Sequence, residues 1–256
     1  MKAPLITAHS GCEQTSQDSM GSIERAIALG ADVVEMDIRR AADGTVYISH
    51  DRQYGDAVRE KVTLEDVFRR IQDTDLKINC DIKESFALCD TLDLAERFQF
   101  RPDRLILSGS VSPEQLAMEP AITECASVYL NIEEALKFLY MGRMCAEQDE
   151  KRFPQLMINA KPFVMSMGED ERWIASMLRL MKALRVHTIN MPYAALTAPM
   201  TQAFHAEGIL CSVWTVDEAE HIDRCLEMGV HNITTREVQK ALDRRQLYHL
   251  KHVTCV

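Results

Sequence analysis

Short apolar runs alternate with amphipathic segments along nearly all of this 256-residue chain, and that alternation restricts the fold more than any other feature. Strand candidates fall at residues 5–8, 33–38, 77–82, 105–107, 128–130, 188–190, 210–215 and 232–234. Between them lie stretches with helical three-to-four-residue apolar spacing, such as 23–29, 64–71 and 174–184. Eight strands separated by helices predict an α/β fold, a parallel (β/α)8 TIM barrel, for which this length is ordinary. An open doubly wound sheet shows similar alternation, but no glycine-rich phosphate loop of that class is present.

Two segments depart from strict alternation. Residues 39–51 read as strand, Asp43-Gly44 turn and second strand, so strand two extends into a hairpin. Thr63, with Asp66 three residues on, then starts a helix in capping-box style. The connection between strands five and six, about 132–186, is long. It holds a helix, a charged patch at 147–152, and a stretch at 153–165 with two prolines. It reads as an excursion over the barrel: a lid, a homo-oligomer contact or a plain connection. No Pro-, Gly- or Ser-rich boundary divides the chain, so residues 1–256 are expected to form one domain.

The formal net charge of -10 argues against nucleic acid as a partner. It also means that an anionic substrate needs local positive charge. No apolar run reaches membrane-spanning length, and no secretory pattern precedes the first strand. The cysteines are scattered without metal-type spacing, and Cys80 and Cys211 sit in apolar runs as small hydrophobes. These features predict a cytoplasmic protein without stable membrane insertion.

Side-chain alternation then exposes an anomaly. In the second strand Val33, Glu35 and Asp37 share the face that would point into the barrel. In the third, Asn79, Asp81 and Lys83 do the same. Branched apolar residues normally fill that space, and carboxylates there are costly unless paired or bound to a cation. A buried network with Lys83 and no metal competes with a metal site. Two strands breaking pattern at one level, near their C-terminal ends, favour the site. Three carboxylates suit a hard, oxygen-seeking cation, and no His/Cys cluster suggests zinc. His9 ends the first strand and His50 follows the hairpin, so both reach the same mouth. Imidazoles there suit proton transfer to a leaving alkoxide and from an attacking oxygen. The other six histidines read as structural.

The ordered motifs Ala8-His9-Ser10-Gly11, Gly30 through Arg39, Asp43-Gly44, His50-Asp51 and Asp81-Ile82-Lys83 resemble the glycerophosphodiester phosphodiesterase family. Val213-Trp214-Thr215-Val216, Gly229 and Ile233-Thr234-Thr235 resemble its closing strands. The resemblance runs from about Ile6 to Leu242. It implies a (β/α)8 barrel and one divalent cation, Mg2+ or Ca2+ with Mn2+ also compatible, on Glu35, Asp37 and Asp81. It implies catalytic His9 and His50, a phosphate contact from Lys83, and Trp214 as a wall of the substrate pocket. Simple core packing is the competing reading for Trp214.

The departures are informative. The family's His-Arg-Gly is His9-Ser10-Gly11 here, and Ser10 at the phosphate-binding position cannot replace an arginine's charge. Its Glu-Asn-Thr is Gln17-Asp18-Ser19, its third acidic ligand is Asp81, and its closing Thr-Asp is Thr234-Thr235. The segment after His50 is short, which also resembles the sphingomyelinase D enzymes.

The expected function is metal-dependent hydrolysis of a small glycerophosphodiester to an alcohol and glycerol phosphate, with His50 as acid and His9 as base. Attack by a neighbouring substrate hydroxyl is an alternative to water. A phospholipid substrate, as for lysophospholipase D or sphingomyelinase D, is a second reading. A phosphate-binding barrel without turnover is a third.

Overall fold

The computed structural model describes residues 3–147 and 171–253. Eight parallel strands close on themselves: β1 (Leu5–Ala8), β2 (Val33–Arg40), β4 (Lys77–Ile82), β5 (Leu105–Gly109), β6 (Ser127–Asn131), β7 (Thr188–Pro192), β8 (Leu210–Trp214) and β9 (Asn232–Thr235). Closure comes from β1, which pairs with β2 through Thr7↔Val33 on one side and with β9 through Ala8↔Thr235 on the other. The expected hairpin is present: β3 (Val46–Ile48) pairs antiparallel with the end of β2 that projects past β1.

Helices cover the barrel: α1 (Met20–Leu29), α2 (Leu64–Ile71), α3 (Ala87–Arg97), α4 (Pro113–Met118), α5 (Ile122–Cys125), α6 (Ile132–Glu147), α7 (Glu171–Ala183), α8 (Ala198–Ala206), α9 (Ala219–Met228) and α10 (Val238–Val253). Local chemistry sets their ends. Thr63 accepts from the backbone of Asp66, whose carboxylate reaches back to the Thr63 N–H, closing the capping box ahead of α2. Gly30, at φ 74, ends α1 in the left-handed conformation and turns the chain into β2. Helices α6 and α7 occupy the long connection, whereas 148–170, including the stretch at 153–165 and most of the charged patch, lie outside the described residues.

The outward faces of the strands are apolar as alternation requires. Val34, Met36, Ile38, Ile78, Cys80, Ile82, Leu107 and Val213 are buried against the helix layer. The barrel interior differs from expectation. Apolar filling is confined to a small cluster at the N-terminal end: Val33, Ile106 and Tyr129, with Leu5 beside them. Above it the interior is polar and cross-linked. Thr7 donates to Asn232 at 2.6 Å, and Asn232 donates to Ser212 at 3.0 Å and to Thr234 at 3.2 Å. Asn190 donates to Asn131 at 2.8 Å, and Ser108 to Asn79 at 3.0 Å. Each short polar side chain finds its partner on another strand or two residues along its own, so the interior stays satisfied without branched apolar layers.

Asn232 is the hub on the β9 side, and its replacement by Ala would orphan buried groups on β1 and β8. Asn232→Ala is expected to lower stability by about 2–4 kcal/mol. Urea denaturation followed by circular dichroism measures this; a loss under about 0.5 kcal/mol would show that the network carries no structural weight.

Candidate active site

The C-terminal mouth of the barrel holds a cavity of about 610 Å³. His9, Glu35, Asp37, His50, Asp81, Lys83 and Trp214 all line it. Strand register explains the convergence: Glu35 stands beside Asn79, and Asp37 beside Asp81, on paired strands β2 and β4. Oxygen atoms of Glu35, Asp37 and Asp81 lie within 4.8 Å of one another. That spacing and all-oxygen chemistry fit a hard divalent cation reaching ligands at roughly 2.0–2.6 Å.

Electrostatics mark two of these groups, Glu35 and Asp37. Burial above all, with the charges of Asp37 and Asp81 adding to it against the pull of His9, pushes the Glu35 carboxyl up to about 7. Burial also raises Asp37 above the usual carboxylate range, although Lys83 draws it back. Lys83 reaches both Asp37 and Asp81 at 2.6 Å. Burial alone would lower its ammonium, but the two carboxylates outweigh burial and hold it above the ordinary lysine range. The lysine network weighed against a metal site is therefore real for Asp37 and Asp81. It leaves Glu35 out, whose nearest aids are the Ser10 N–H at 3.1 Å and the His9 ring at 3.8 Å.

The histidines are held differently. His9 Nδ1 lies 3.0 Å from the Ser10 carbonyl, which only accepts, so Nδ1 carries a proton and any lone pair of the ring is on Nε2. His50 is 65 % exposed in its side chain, with Nδ1 3.0 Å from the Asp51 carboxylate. Its backbone N–H donates to Asp18 at 2.7 Å.

Ser10 does not line the cavity. It is 4 % exposed, and its hydroxyl accepts from the Asp18 N–H at 2.7 Å and donates to the Asp18 carboxylate at 3.0 Å. Asp18 thereby ties the end of β1 to the His50 backbone. Through Asp18, Ser10 forms a structural link between the two histidine-bearing segments.

Several lining residues escaped the sequence reading. Arg236, directly after β9, lines the cavity, as do Asn131, Asn190, Glu133 and Glu134. Asn131 and Asn190 near the ends of their strands were a readable signal by the alternation that exposed Asp81. Arg236 lies past its strand and carried none. Two polar atoms of the wall are buried without partners among the described residues: Oε2 of Glu133 and Nε1 of Trp214. Burial raises the Glu133 carboxyl.

Gly109 sets the limit on one side. It has φ +78, and a Cβ there would collide with the Asp81 carboxylate and the Ile82 carbonyl and stand 2.8 Å from the Ile82 nitrogen. Gly109→Ala should weaken divalent-cation binding at least tenfold, because Asp81 must move. Isothermal titration with Mg2+, Mn2+ and Ca2+ reads this; unchanged affinity would remove Asp81 from the ligand set.

The raised Glu35 carboxyl carries a second expectation. A group whose folded pKa lies above its unfolded one adds stability below about 4.5 and loses it as pH rises through about 7. Metal-free wild type should therefore lose stability relative to Glu35→Gln across that window, and a divalent cation should restore it at higher pH. Parallel pH-dependent melts would expose the error if the two proteins track each other.

Known proteins place this geometry. The family model described as the Glycerophosphoryl diester phosphodiesterase family matches residues 9–69 and 141–240, more than half of the chain. A glycerophosphodiester phosphodiesterase of Caldanaerobacter subterraneus is 24% identical over 250 residues, covering 93% of this chain and 96% of that protein. Among solved structures, the glycerophosphodiester phosphodiesterase of Thermotoga maritima superposes with a TM-score of 0.66 at 19% identity, covering 95% of this chain and 99% of the other. A phosphodiesterase of Oleispira antarctica, solved with the product sn-glycerol-3-phosphate, gives 0.67 at 12% identity, covering 94% and 96%. Those structural likenesses establish the fold, and the family match with the curated relative establishes membership: the chain belongs to the glycerophosphoryl diester phosphodiesterase family of phosphoric diester hydrolases.

Proposed function

We propose that this single-domain enzyme hydrolyses small, polar glycerophosphodiesters to an alcohol and glycerol phosphate, using a divalent cation and two histidines. The observation that carries the reading is three carboxylates within 4.8 Å of one another in a cavity that both histidines also line. Glu35, Asp37 and Asp81 would hold Mg2+, Ca2+ or Mn2+, whose charge when bound offsets that of a phosphodiester and favours attack at phosphorus.

The remaining chemistry belongs to the chain. His9, with its proton on Nδ1, presents Nε2 as base toward the attacking oxygen. His50, at the open side of the mouth, delivers a proton to the leaving alkoxide, with Asp51 orienting its ring. Lys83 offers positive charge beside the developing one. The wall around Trp214, Glu133, Asn131 and Asn190 is polar and suits a hydroxylated alcohol arm better than an acyl chain. The relative captured with sn-glycerol-3-phosphate bound supports a product of this kind. Buried free thiols at Cys12, Cys80, Cys211 and Cys225 support a reducing, cytoplasmic setting. No described helix is long and apolar enough to cross a membrane.

The test compares leaving groups. With added Mg2+, Mn2+ or Ca2+, wild type should cleave glycerophosphoglycerol and turn over lysophosphatidylcholine far more slowly. A chelator should abolish turnover. His9→Ala and His50→Ala should each lower kcat about 100-fold or more on alkyl diesters. On a p-nitrophenyl phosphodiester, which needs no proton to leave, His50→Ala should recover most activity and His9→Ala should not. Equal losses on both substrates would exchange or cancel the assigned roles, and no turnover of any diester would sink the reading.

A further inference from the structure

We infer that Arg236 is the phosphate-gripping arginine of this enzyme, taking over from β9 the contact that the family's arginine would make from the position of Ser10. The inference rests on the phosphodiesterase reading above and adds a substrate-binding residue to it.

The case begins with a deficit of charge. Among the described residues lining the cavity, Lys83 and Arg236 are the permanent cations, against Glu35, Asp37, Asp81, Glu133 and Glu134. Lys83 is committed to Asp37 and Asp81 at 2.6 Å each. The nearby Arg39 is consumed elsewhere: its guanidinium pairs with Glu84 and donates to the carbonyls of Ser49 and His50. Arg52 also turns to Glu84, at 3.6 Å. Among the described residues lining this mouth, Arg236 is the one that carries a guanidinium for an entering phosphate.

Placement brings Arg236 next to the segment that carries Ser10, although the two are distant in sequence. Strands β1 and β9 are neighbours, with Ala8 in register with Thr235. The His9 N–H donates to the Thr235 carbonyl at 2.9 Å, and the Glu13 N–H to the Arg236 carbonyl at 2.8 Å. Arg236 therefore flanks His9 from the β9 side, where Ser10 follows it along β1.

Its side chain is also prepared for a ligand. Asp217 anchors the local backbone, accepting from the Arg236 N–H at 2.8 Å and from the Thr235 hydroxyl at 3.0 Å. The other Asp217 oxygen lies 3.6 Å from Arg236 Nη1, an ion pair too long for a good hydrogen bond. The side chain is 44 % exposed, its guanidinium is oriented by this one carboxylate, and among the described residues most of its five N–H donors remain for a planar two-point contact with phosphate. The closing Thr-Asp of the family is Thr234-Thr235 here, and Asp217 brings a carboxylate to the same spot from the β8–α9 loop.

The experiment has a binding arm and a turnover arm, both on the cation-loaded full chain. Isothermal titration with sn-glycerol 3-phosphate should show at least tenfold weaker binding for Arg236→Ala, with part of the affinity restored in Arg236→Lys. Cation binding and melting temperature should stay at wild-type values in both. In turnover, Arg236→Ala should raise KM at least tenfold with a smaller fall in kcat, as expected for a contact present before and during reaction. Asp217→Asn should give a milder rise in KM. Product affinity and KM within twofold of wild type in Arg236→Ala overturn the inference, and so does a parallel loss of cation binding. If wild type cleaves no diester yet Arg236→Ala still loses phosphate affinity, the proposed reaction fails while the arginine's role stands.

Discussion

Everything at the mouth depends on the pairing of β2 with β4. That register puts Asp37 beside Asp81 and Glu35 one step deeper. Three carboxylates so close, two of them buried, would repel one another strongly, and Lys83 relieves only Asp37 and Asp81. Glu35 remains the strained member, raised by burial and its neighbours and eased only by one backbone N–H and the His9 ring. A divalent cation at the cluster, as proposed, would attract all three carboxylates and offset that repulsion.

The polar interior serves the same end. Filling the barrel with branched apolar residues up to the mouth would lower the dielectric around the carboxylates further. The hydrogen-bonded asparagines, serines and threonines on β4 through β9 carry polarity down from the cavity, leaving an apolar plug at the N-terminal end. Asn79 and Ser108 act directly, since Ser108 bonds both Asn79 and Asp81 and holds the ligand face of β4.

Replacement of the family arginine at Ser10 reshapes the site without dismantling it. The small hydroxyl is buried on Asp18, and Asp18 clamps the His50 backbone, so the two histidine segments remain tied. Positive charge then has to enter from another strand, and Arg236 is the group so placed. Charge at a barrel mouth is pooled from eight strand ends, so its source can shift between neighbours while the field at the centre is kept.

The strands of the first 85 residues, and the acidic and histidine residues that line the cavity from them, are legible in local pattern. A two-residue period makes Glu35, Asp37 and Asp81 conspicuous as charges on an inward face, and the turn and cap signals at Asp43-Gly44 and Thr63 depend on local backbone chemistry alone. Helix α2 and strands β1 and β4 follow from the same local rules. Which groups meet across the barrel follows only from its closure. Arg236 lies beside His9 because β9 returns to β1, more than 200 residues away in sequence, and no local pattern encodes that approach. Burial of Ser10, the asparagine network and the orphaned atoms of Glu133 and Trp214 likewise arise from closure, since each depends on what a distant strand brings to the same space.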